Sequence, residues 1–130
     1  MDYDKFMSAL QDAVGLDRDG AERAAQATLR TLADRLSTEQ ARRLVDLLPP
    51  ELGPALFQFG LPEQLDVDAF LRRVADREGV DLPVARRHAA LVLGVLARAV
   101  GPDEFDRVAA TFPKDFTTLL PRGPDTELRC

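Results

Sequence analysis

The chain is predicted to be all-α: a single domain of residues 1–130 made of two tandem four-helix repeats, about eight helices, with pseudo-twofold symmetry. Three observations carry that prediction. Apolar residues recur at helical spacing along most of the chain, no segment alternates apolar and polar residues as a half-buried strand would, and the sequence matches itself without a gap at an offset of 64. In that register Phe6 falls on Phe70, Gly15 on Gly79, Asp17 on Asp81, Ala25 on Ala89, Leu29 on Leu93, Leu32 on Leu96 and Pro49 on Pro113. The repeats span 2–60 and 66–124, residues 57–65 are the linker between them, and 121–130 form a mobile tail.

The first helix of each copy presents Phe6, Met7 and Leu10, or Phe70, Leu71 and Val74, on one face. Asp2 and Asp4 precede it in one copy and Asp66 and Asp68 in the other, where carboxylates can accept from unpaired backbone N–H groups and complement the helix dipole. A long second helix follows Asp17 and Asp81. Its stripe is Ala21, Ala25, Thr28, Leu29, Leu32, Leu36 in the first copy and Ala85, Ala89, Val92, Leu93, Leu96, Val100 in the second, small at the start and large at the end. The third helix opens on Ser37 with Gln40 three residues on, the form of a capping box, and in the second copy on Gly101-Pro102. Leu44, Leu47 and Leu48 are expected to face inward before Pro49 stops the helix, since the residue before a proline is pushed out of the α region. A short fourth helix buries Leu52 and Leu56, and Phe112 to Phe116 repeats that plan.

Composition narrows the function. With 45% apolar and 30% charged residues the chain is an ordinary globular one, and a net charge of −5 gives no general attraction to nucleic acid or anionic membranes. The longest apolar run, Ala89 to Ala97, is about half of the roughly 20 residues that span a bilayer. The single cysteine, Cys130, excludes an internal disulfide and suits a cytoplasmic setting.

The repeated half-unit, with Phe6, Leu29, Leu32, Leu36 and Leu48-Pro49 in one copy and Phe70, Leu93, Leu96, Val100 and Phe112-Pro113 in the other, resembles the bacterial domain of unknown function 2267 family. The resemblance covers nearly the whole chain. It implies an all-helical soluble bacterial protein and brings no catalytic residues. Leu47 and Thr111 stand where members often carry a glutamine.

Candidate chemistry is sparse. His88 is the lone histidine and borders the stripe of the second long helix, with no second ligand or nucleophile near it in sequence. It reads as a packed residue, and the alternative is a ligand contact. Asp2, Asp4, Asp66 and Asp68 read as caps rather than a carboxylate metal site. Arg72, Arg73, Arg77, Arg86 and Arg87 form the densest basic group, a solvated face paired with interleaved acids, or alternatively an anion site or a contact for an acidic partner through Arg72 and Arg73. Phe57 and Phe59 correspond to Pro121 and Gly123, so they cover the seam between the copies or form an apolar partner contact. The leading expectation is a non-enzymatic helical interaction, scaffold or regulatory module with a protein partner, no cofactor and no metal, either monomer or homodimer. The alternative is a small-molecule binding domain with an apolar pocket between the repeats lined by Phe70, His88, Val92 and Phe112.

Overall fold

Six α-helices and two 3₁₀ helices make up the fold, with no strand among the described residues. The computed structural model describes residues 1–57 and 61–120, so the expectations for Phe59, Cys130 and the tail lie outside the described residues. In chain order the elements are α1 (Tyr3–Val14), α2 (Arg18–Arg35), α3 (Thr38–Leu47), η1 (Pro50–Leu56), α4 (Val67–Glu78), α5 (Leu82–Val100), α6 (Pro102–Ala109) and η2 (Lys114–Thr118).

Their boundaries follow from local chemistry. Lys5 N–H donates to the Asp2 carboxylate, Gly20 N–H to Asp17 and Ala69 N–H to Asp66, each at 2.8 Å. The capping box predicted at Ser37 is present: Gln40 N–H donates to Ser37 Oγ at 3.1 Å, and Ser37 N–H donates back to Gln40 Oε1 at 2.9 Å. Asp81 holds the same place before α5 without a side-chain cap bond. Gly15 and Gly79 end α1 and α4 at φ of 71° and 77°, a left-handed conformation that glycine adopts without strain.

The predicted fourth helices are 3₁₀ turns. Pro50 and Pro54 lack the N–H that an i→i−4 ladder needs, and η2 is only five residues long. Leu52 and Leu56 are buried there as predicted. Leu47 is a correction: it was expected to face the core and is 43% exposed. Ala41, Leu44 and Leu48 set the buried stripe of that helix, and Leu47 is turned away from Leu48 by about 100°, the rotation of one helical residue.

The core runs through both halves. Every stripe residue assigned to α2 and α5 is buried, and Phe6, Phe70 and Phe116 are fully so. Phe116 packs edge-on against Phe70 at 5.4 Å and against Phe112 at 4.7 Å between ring centroids. The two halves interleave: α2 packs most extensively on α4, α1 packs on α5 more than on α2, and α3 reaches α5. Each element after residue 66 begins 64 residues after an earlier one: Tyr3 and Val67, Arg18 and Leu82, Thr38 and Pro102, Pro50 and Lys114.

Candidate functional site

Most polar groups singled out in the sequence are engaged in holding the fold. Asp2 and Asp66 cap helices, and among the described residues no group of three or more histidines, cysteines or carboxylates is placed to hold a metal. Arg73 turns inward, donating to Asp34 on α2 at 3.0 Å and to both oxygens of Glu63 at 2.7 and 3.1 Å. Hydrogen bonds from Arg73 hold the Glu63 carboxyl below its ordinary pKa, while Glu63 and then Asp34 raise the Arg73 guanidinium above its own. Arg77 pairs with the same Asp34 at 2.9 Å and donates to Thr31 Oγ1 at 3.1 Å. Within the cluster Arg73 and Arg77 are therefore paired, and with Asp34 and Glu63 rather than with the interleaved Asp76, Glu78 and Asp81. Arg72, Arg86 and Arg87 are exposed and form no ion pair among the described residues.

His88 is buried, as the packed reading expected. Its Nδ1 contacts Glu78 Oε2, and Glu78 is buried at the last position of α4. Their other polar atoms, His88 Nε2 and Glu78 Oε1, have no protein partner. The residues 64 positions earlier are Ala24 and Val14, so a polar pair stands where the first half has an apolar one. Phe70 and Val92 are fully buried, and Phe112 is half-buried. None of His88, Phe70, Val92 and Phe112 lines the grooves described below.

Arg35 was missed by sequence reasoning. It is 7% exposed at the end of α2, and its guanidinium donates to the carbonyls of Leu65 and Thr111, the latter at 3.0 Å. The cation lies over the rings of Phe112 and Phe116, 4.7 and 5.2 Å from their centroids. Burial pulls its pKa below the ordinary arginine value. One side chain thus ties α2 to the start of the second half and to the turn after α6. The available signal was the mismatch of Arg35 with Ala99 at the offset of 64.

An open apolar surface lies against α3 and η1. A groove of about 450 Å³ runs between α3, which contributes Thr38, Ala41, Arg42 and Val45, and η1 with its C-terminal end, which contribute Gly53, Pro54, Leu56 and Phe57. Phe57 is 65% exposed. The residues 64 positions on from Ala41, Arg42 and Gly53 are Phe105, Asp106 and Thr117. Ala41 and Phe105 are both buried, so the second half has the bulk of a phenylalanine at the position where the first has a methyl group. Pro54 and Phe57 also border a second depression of about 350 Å³ with Arg30, Asp34 and Arg77. Arg30 and Arg77 continue into a third, of about 240 Å³, reaching Glu22, Arg23 and Gln26.

The profile of a family described as "Uncharacterized conserved protein (DUF2267)" matches residues 3–119, from the first residue of α1 to the residue after η2. The chain belongs to the DUF2267 family. The match takes in Arg35, the Glu78–His88 pair and both walls of the α3–η1 groove, so each is part of how this DUF2267 chain fills the family's span. No curated protein matches the chain. Among the described residues of this DUF2267 chain, no helix is long and apolar enough to cross a membrane.

Proposed function

We propose that this DUF2267 chain is a non-enzymatic helical interaction module whose α3–η1 groove docks an apolar segment of a protein partner. The observation that carries the reading is the groove itself: a mostly apolar trough of about 450 Å³ with two polar residues, Thr38 and Arg42, in its lining. Amphipathic partner segments bind such grooves through a few anchor side chains. The setting is bacterial and cytoplasmic, in keeping with the lone cysteine at position 130. The two halves are read as tandem copies with pseudo-twofold symmetry, supported by the common spacing of 64 between their element starts.

Filling the groove tests the function. A Cβ built at Gly53 meets only Val45 Cγ1, at 3.7 Å, so the larger side chain of Gly53→Leu extends into the trough without a clash at its root. The wild-type chain should retain a specific protein from its native cell that the Gly53→Leu chain, folded to the same helical content, does not. Equal retention by both removes the groove from the account. A small-molecule reading draws support from the unpartnered His88 Nε2 and Glu78 Oε1, and a concentration-dependent thermal shift with a polar metabolite, lost in His88→Ala, would favour it.

A further inference from the structure

We propose that the segment docked in the α3–η1 groove is acidic, with an apolar anchor for the trough and carboxylates that follow an arginine lane along α2. This rests on the interaction reading above and adds the partner's chemistry. The trough and the lane are continuous: Pro54 and Phe57 form the shared wall of the first two depressions, and Arg30 and Arg77 the shared wall of the second and third. Arg23 and Arg30 are exposed and make no ion pair with any described residue. They lie seven residues apart, hence on one face of α2 and about 10 Å apart along its axis. Arg42, in the lining of the trough, is likewise exposed and forms no ion pair among the described residues.

The charge is local. The whole chain carries −5, so exposed arginines in the lining of the apolar groove (Arg42) and of the depressions that adjoin it (Arg23 and Arg30) are not a by-product of a basic surface. Guanidinium forks suit carboxylates geometrically, and ion pairs at the rim of an interface mainly set partner choice and association rate. Glu22 and Asp34 also line these depressions but are paired, Glu22 with Arg18 and Asp34 with Arg73 and Arg77, so the charge left open to an acidic segment is that of Arg23 and Arg30.

Three fluorescein-labelled amphipathic peptides of about 15 residues, with one apolar face in common and flanks of glutamate, lysine or glutamine, separate the possibilities by anisotropy titration. The glutamate peptide should bind roughly tenfold or more tightly than the lysine peptide at about 50 mM NaCl, and that advantage should shrink by about 200 mM. Arg23→Glu with Arg30→Glu should erase the advantage and leave the glutamine peptide's affinity unchanged, whereas Gly53→Leu should weaken all three. Equal binding of the three peptides, sensitive to Gly53→Leu and indifferent to the arginines, overturns the acidic partner and leaves the groove reading standing. Binding of none of them overturns both. An oligothymidylate that binds more tightly than the glutamate peptide, through Arg23 and Arg30, assigns the lane to nucleic acid and overturns the proposal.

Discussion

Arg35 and the Glu78–His88 pair show how much of this fold hangs on single buried polar side chains. Arg35 satisfies two backbone carbonyls from distant parts of the chain while its guanidinium lies over the rings of Phe112 and Phe116. Arg35→Ala should lower the unfolding free energy by about 2–4 kcal/mol in urea titrations, because two carbonyls lose their donor and the ring faces lose their cation. Glu78 and His88 behave as a unit. Either Glu78→Val or His88→Ala alone strands a buried polar partner and should cost about 2–5 kcal/mol. The double variant, which installs the Val14–Ala24 combination of the first half, should be milder than the sum of the singles by about 1–3 kcal/mol. Additive costs would mean that the two side chains are not coupled.

At the scale of the elements, glycine shows how one chemical change takes opposite signs. A Cβ added at Gly79 or at Gly94 meets nothing within 4 Å, so sterics do not distinguish them. Gly79 sits at φ 77° after α4, and Gly79→Ala should cost about 1 kcal/mol in backbone strain. Gly94 lies inside α5, and Gly94→Ala should stabilise by roughly 0.5–1 kcal/mol. Thermal melts of the two variants should shift in opposite directions.

Acid acts on the tie between linker and helices. Glu63 has a folded pKa below its unfolded value, so its contribution is present above the unfolded value and is lost as pH falls through the folded one. Urea midpoints measured from neutral pH downward should drop less steeply in Glu63→Gln. The difference should stay under about 1 kcal/mol, because the pair is well solvated. The element boundaries themselves were legible in the sequence because caps act within four residues. Asp2, Ser37, Gly79 and Pro49 each act on a neighbour, and each sits where the chain pattern placed it. Leu47 was misread because a spacing of three from Leu44 fits a helical stripe on paper, while the burial of Leu48 fixes the stripe elsewhere.

Across the whole molecule, the packing between halves was the least legible level. Periodicity identifies which face of α1 or α2 is apolar and is silent about which helix covers it. That α1 prefers α5 and that α2 prefers α4 emerges only when both halves are present. The partners of Arg73 were hidden for the same reason: Asp34 and Glu63 are 39 and 10 residues away. The groove was legible in principle from the residues at which the halves disagree, Ala41 against Phe105 above all. The interleaving predicts one cooperative transition, with helical circular dichroism and Tyr3 fluorescence melting together. It also predicts that fragments cut within 58–62 are largely unstructured alone and regain helicity when mixed. A fragment 1–60 that folds unaided, with the full protein's melting temperature, would show that the halves are independent.

The crossed packing of α1 on α5 and α2 on α4 also bears on separation of the halves. In an end-to-end array each unit offers its last face to the next, and length can increase one unit at a time. Here α1 and α2 are covered in good part by helices of the other half, so pulling the halves apart would bare the apolar stripes of both at once.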